Sequence, residues 1–174
     1  MTQSSGSGWS ESLRTILYAV LLALALRTFA YEPFSIPSKS MVPTLLVGDY
    51  LFVSKFSYGY SRYSLPFGPP LFEGRVFEDM PERGDVAVFR KPTGKHEDYI
   101  KRIVGLPGDR LQVRAGQLFI NGEAVKREFI GTVQVPGEPQ TGQIKQYRET
   151  LPNGRSYLTY DQFDSAQGDE TGVY

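Results

Sequence analysis

Residues 13–30 read Leu-Arg-Thr-Ile-Leu-Tyr-Ala-Val-Leu-Leu-Ala-Leu-Ala-Leu-Arg-Thr-Phe-Ala, and no other stretch restricts the fold as much. The run is apolar on every face of a helix, so it must be enclosed by other elements or lie in lipid. Its charge-free part, residues 15–26, makes only about 18 Å of helix, short of a hydrocarbon core of about 30 Å. With Arg14 and Arg27 snorkelling, residues 13–30 reach roughly 27 Å. Trp9, Tyr18, Phe29 and Tyr31 then fall near the interfaces.

Three readings compete for this segment. A buried core helix needs neighbours, and the rest of the chain offers few helices. A cleavable leader needs small residues after the apolar run, whereas Ala23-Leu24-Ala25 lies inside it. An uncleaved membrane anchor is the reading the residues favour. With one Arg at each end, charge does not orient it. The polar, Ser/Gly-rich residues 1–12 ahead of it read as a disordered tail.

Beyond residue 30 the texture changes to short apolar runs cut by Gly and Pro. The 174 residues hold 18 Gly, 12 Pro, 11 Tyr and 11 Phe, a composition that favours strands and turns over a helical bundle. Strands are predicted at residues 50–56, 85–90 and 99–104. Residues 111–114 and 117–120 form a hairpin, and Asn121-Gly122 supplies a tight turn before residues 123–125. Asn153-Gly154 repeats that signal between residues 146–151 and 155–160. Residues 131–142 read as a polar loop. Residues 58–77 are unusually apolar for a loop, and read either as an excursion folded onto the core or, around residues 66–72, as a surface dipping into a bilayer interface. The expected fold is mainly β: an antiparallel, β-rich body (residues 31–174) behind one hydrophobic helix.

Composition also narrows the chemistry. Nineteen basic and nineteen acidic residues cancel, which argues against a general nucleic-acid surface. The absence of Cys removes disulfides, thiolate metal sites and a cysteine nucleophile. His96 is the sole histidine, and it stands in the charged cluster Lys95-His96-Glu97-Asp98, a poor place for a base. A hydrolase built from this chain therefore draws its base from a lysine or a carboxylate.

Ser40 lies in Pro37-Ser38-Lys39-Ser40-Met41-Val42-Pro43, where two prolines hold the backbone on either side. Such rigidity suits an oxyanion hole, and the Ser38 hydroxyl is near enough in sequence to join one. A serine in a Pro-bounded turn is more often only a turn residue. Lys101 stands inside an apolar strand, where period two puts Tyr99, Lys101 and Ile103 on one face and Ile100, Arg102 and Val104 on the other. An edge lysine that snorkels to water is the plainer reading. A lysine stripped of water loses its preference for the ammonium form, by as much as ~3–5 pKa units when fully buried. Its neutral amine can then take a hydroxyl proton directly.

Three ordered motifs carry a resemblance. Glu32-Pro33-Phe34-Ser35-Ile36-Pro37-Ser38-Lys39-Ser40-Met41-Val42-Pro43-Thr44-Leu45 closely resembles the nucleophile box of bacterial type I signal peptidases. Arg83-Gly84-Asp85-Val86-Ala87-Val88-Phe89 resembles their next box, and residues 98–109 resemble the lysine box. Glu149-Thr150-Leu151-Pro152-Asn153-Gly154 also has the family's look.

The resemblance implies a membrane-anchored serine endopeptidase that removes signal peptides from exported preproteins. Ser40 would be the nucleophile and Lys101 the general base. Ser38 Oγ and the Ser40 N–H would form the oxyanion hole. Phe34, Ile36, Tyr99 and Ile100 would line shallow subsites for small residues at P1 and P3, with the peptide added along a strand edge. No metal or organic cofactor is implied. The partners would be signal peptides and the lipid bilayer, with no nucleic acid and no signature of an oligomeric state. The resemblance places the body outside a bacterial inner membrane.

Two departures stand out. Lys39 occupies a position where the family often has Gly. Nothing matches the family's further Gly-Asp-Asn-Arg-Asp-Asn-Ser-like box, which implies that the C-terminal part of the domain is missing. Two rivals remain on sequence alone: a membrane-tethered β-domain that binds extended peptides without cutting them, and a self-cleaving Ser-Lys hydrolase of the SOS-repressor type.

Overall fold

A computed structural model describes residues 7–65, 68–70, 72–92, 97–135, 142–161 and 171–174. The chain forms two compact units, one of Met1–Phe34 with Tyr50–Met80, the other of Ser35–Asp49 with Pro81–Tyr174.

The first unit opens with helix α1 (Ser7–Phe29). Leu and Ala dominate it, no proline interrupts it, and its apolar side chains are exposed. At 23 residues it is about 34 Å long, enough to cross a hydrocarbon core. None of its apolar window is buried by the described residues, which does not fit a core helix. The helix also starts earlier than the expected end of a disordered tail at residue 12. Once a helix has nucleated, each further residue adds a hydrogen bond, and residues 9–12 contain no breaker. Thr15 Oγ1 donates to the Glu11 carbonyl at 2.9 Å across this added turn. Residues 1–6 lie outside the described residues.

After α1, strand β1 (Tyr31–Ser35) pairs with β2 (Tyr50–Ser54). Lys55 N–H donates to the Ala30 carbonyl at 2.9 Å, and the Tyr60 hydroxyl to the Phe29 carbonyl at 2.6 Å. The excursion after β2 contains a short 3-10 turn, Arg62–Ser64, and is closed by an antiparallel bridge between Tyr60 and Val76. Gly59 is required there. Its φ is +76°, and a Cβ would stand 2.5 Å from the Phe77 carbonyl oxygen. Pro66, Phe67 and Leu71 of the suggested membrane-dipping surface lie outside the described residues.

The second unit is antiparallel throughout its described sheets. β3 (Val86–Arg90) pairs with β4 (Asp98–Arg102), placing Ala87 opposite Lys101. β5 (Leu111–Arg114), β6 (Gln117–Ile120) and β7 (Glu123–Ala124) form a meander, and Asn121-Gly122 turns between β6 and β7 with φ of +55° and +85°. β8 (Lys126–Gln134), β9 (Gln143–Thr150) and β10 (Ser156–Asp161) form a third sheet in the order β10-β9-β8. Residues 131–134, expected in a loop, are the end of β8, and residues 136–141 of that loop lie outside the described residues. A strand starting Lys-Arg-Glu shows no apolar alternation of its own, and its pairing with β9 decides the matter. The core gathers Ile120, Val125 and Leu151, with Val104, Leu111, Leu118 and Tyr157 packed around them.

Candidate active site

The Ser40 segment is a single tight turn. A 3-10 helix spans Lys39–Met41, with Ser38 at its N-cap in extended conformation. The Met41 side chain is buried and anchors the turn from below. Val42 N–H donates to the Lys39 carbonyl at 3.0 Å, and Leu45 N–H to the Met41 carbonyl at 2.9 Å. Ser40 itself stays exposed.

Lys101 comes from β4, 61 positions further along the chain. Its Nζ hydrogen-bonds to Ser40 Oγ and donates to the Ile100 carbonyl at 2.9 Å. The Tyr99 ring lies 5.5 Å from the same nitrogen and 5.5 Å from Lys91 Nζ. Small Ala87 across the ladder leaves the long lysine stem room to bend along the strand. Ser38 Oγ is 3.3 Å from Ser40 Oγ, so both hydroxyls and the amine converge.

The residues expected to line subsites differ in their exposure. Tyr99 is half-buried and shares the Lys101 side of β4. Ile36 and Ile100 are buried side chains, 1% and 4% exposed. The Ile100 carbonyl accepts from Lys101 Nζ. Phe34 stands half-buried in β1, in the first unit. His96 lies outside the described residues.

The other motifs build the support. Gly84 N–H donates to the Ile103 carbonyl at 2.6 Å and Ile103 N–H to the Asp85 carbonyl at 2.8 Å, extending the β3–β4 ladder. Beyond β4, Asp109 accepts the Leu106 N–H at 2.6 Å and the Asn121 side-chain amide at 2.8 Å, and pairs with Arg83 at 2.8 Å. The Leu106 bond first, then Asn121 and Arg83, hold the Asp109 carboxyl below its ordinary pKa. Arg83 also donates to the Val104 carbonyl at 2.6 Å.

Sequence reasoning missed a further set. Asn153 at the β9–β10 turn donates to the Arg83 carbonyl at 2.7 Å, and Arg155 donates to Glu82 and Asp85. Arg102 donates to the Gly84 carbonyl at 2.8 Å and to Thr44 Oγ1 at 3.2 Å. The resemblance of residues 149–154 to a family segment was the sole hint of this, and it carried no assigned role.

An exposed hydroxyl held against an amine, with a second hydroxyl alongside, is an arrangement that nucleophilic acyl transfer can use. The family model for signal peptidase, peptidase S26, matches residues 9–167. The chain belongs to that family. It is 44% identical over 152 residues to the signal peptidase I of Rickettsia typhi, covering 86% of this chain and 56% of that protein. It is 46% identical over 152 residues to that of Rickettsia prowazekii, with 86% and 56% covered. With the signal peptidase I of Rickettsia akari it shares 45% over 145 residues, 82% of this chain and 53% of the other. The chain spans a little over half the length of the curated relatives it matches.

Proposed function

We propose that this chain is a membrane-anchored serine endopeptidase that cleaves N-terminal signal peptides from exported preproteins, with Ser40 as nucleophile and Lys101 as general base. The observation that carries the reading is the contact between Lys101 Nζ and Ser40 Oγ. Lys101 takes the Ser40 proton while Oγ attacks the scissile carbonyl carbon. The resulting oxyanion accepts from the Ser38 hydroxyl and the Ser40 N–H. Lys101 returns the proton to the departing amine, and the acyl-enzyme is then hydrolysed by a water that Lys101 deprotonates.

The substrate preference rests on the residues that the resemblance assigns to the subsites. Two of them, Ile36 and Ile100, are only 1% and 4% exposed, which supports shallow subsites. Small residues at P1 and P3 fit such ground, with Tyr99 as a further wall. Helix α1 would anchor the chain in a bacterial inner membrane, with the site on the extracytoplasmic side, where scissile bonds emerge.

The test is cleavage of a preprotein in detergent or vesicles, with the product's N-terminus sequenced. The intact chain is expected to cut once, after a small residue, and Ser40→Ala not at all. Undiminished cutting by Ser40→Ala overturns the reading, and binding of the peptide without any cutting supports a tethered peptide-binding domain instead.

A further inference from the structure

Tyr157, on β10, lies under Arg102, whose guanidinium carbon is 4.6 Å from the ring centroid. Arg102 is the neighbour of Lys101 on β4, and its guanidinium binds Thr44 Oγ1 and the Gly84 carbonyl. Thr44 is four residues beyond Ser40 in the same turn. One planar cation therefore ties the strand of the amine to the segment of the hydroxyl, and its lower face rests on one phenol.

That phenol is itself held. Glu149, a buried acid, is the cross-strand partner of Tyr157. Burial first, then the Glu149 charge, pushes the Tyr157 phenol far above its usual range, so it remains a donor. Arg127 sits 3.6 Å from Glu149, pairs with Asp161 at 3.0 Å and stacks on the Tyr147 ring at 3.8 Å. A set of buried charges costs desolvation and is weak support for stability as such. It does fix one geometry, because each member has few alternative partners.

We propose that Tyr157 and Glu149 are positioning residues for the Ser40–Lys101 pair, acting through Arg102 on Thr44. The inference rests on the reading of that pair as catalytic. It accounts for the Glu149-to-Gly154 segment, since β9 presents Glu149 directly opposite Tyr157 while Asn153 in the following turn holds Arg83 beside Gly84. Because small misplacements of reacting groups are costly, loosening the clamp should slow turnover while leaving substrate binding nearly intact.

The test combines preprotein cleavage with amide hydrogen exchange on the intact chain. Tyr157→Leu, Glu149→Gln and Thr44→Val are each expected to lower kcat by about tenfold or more with KM within about twofold. Thr44→Ser, which keeps the hydroxyl, should retain the parent rate. Tyr157→Leu combined with Thr44→Val should be no slower than the slower single variant. The Leu45 amide, bonded to Met41, should exchange about tenfold faster in Tyr157→Leu and Thr44→Val, with β8 and β9 amides still protected. Unchanged kcat and Leu45 exchange, or effects that multiply in the double variant, overturn the proposal. If Tyr157→Leu loses β9 protection it has unfolded, and exposed Thr44 decides alone. If Ser40→Ala still cleaves, the functional reading falls instead, and Leu45 exchange judges the clamp without reference to activity.

Discussion

Lys101 Nζ meets Ser40 Oγ across 61 positions of chain, and the same nitrogen donates to the carbonyl of the preceding residue, Ile100, at 2.9 Å. The carbonyl contact aims the amine: with one N–H pinned to the backbone of β4, the nitrogen stays beside the hydroxyl. Lys101→Met keeps the stem and removes both contacts, and is expected to lower preprotein turnover by at least ~10²-fold, with membrane association intact. Lys101→Arg should be as inactive, because a guanidinium stays protonated. Near-normal turnover in either variant removes Lys101 from the role of base.

Ser38 tests the oxyanion assignment separately. Ser38→Ala deletes a hydroxyl 3.3 Å from Ser40 Oγ and should lower kcat by ~10²–10³-fold with KM little changed. Ser38→Thr should keep much of the rate. A KM effect alone would place Ser38 in ground-state binding.

Asp109 links stability to pH. Its carboxyl is held below the ordinary value, so the stability it contributes is present above the ordinary carboxylate range and is lost as pH falls through its own depressed pKa. Asp109→Asn should therefore have a lower denaturation midpoint than the parent at pH 7. The gap should close as the pH drops below about 4. A gap that persists in acid would mean that hydrogen-bond geometry, not charge, is what the substitution removed.

Ile36→Ala and Ile100→Ala each empty a filled position in the core. The expected cost is about 2–5 kcal/mol of unfolding free energy, read by denaturant titration. In the cleavage assay both should accept larger residues at P1 or P3, because each removes side-chain volume from the proposed subsites. Unaltered site selection in both variants would detach these side chains from specificity.

Charges placed in α1 test the anchor. Leu17→Lys with Leu21→Lys puts two ammonium groups mid-helix, at roughly 2.5–3.5 kcal/mol each on insertion scales. The variant is expected to leave the membrane fraction. Retention in that fraction would mean that other surfaces hold the chain to the bilayer.

Local sequence was informative wherever a strand or turn is set by its own residues. The β5–β6 hairpin follows alternation and the Ala115-Gly116 turn, with positive φ at both residues. Asn121-Gly122 behaves as its backbone freedom requires. The apolar run after residue 12 is a helix because nothing within it competes with one. The nucleophile and lysine motifs were legible as strings, since residue type and order are local properties.

What escaped depends on partners far away in the chain. β8 opens with three charged residues and exists because β9 pairs with it. The burial of Ile36 and Ile100 could not be read locally, because it depends on everything packed over them. The guanidinium of Arg102 on Thr44 and Tyr157 joins three segments that no spacing rule connects. Residue order alone determined which groups are present and which short stretches extend, turn or coil, because those choices are made by neighbours along the backbone. Only the tertiary structure decided which hydroxyl faces which amine and what holds them there, because loop closure and packing bring distant groups together in ways that local preference does not encode.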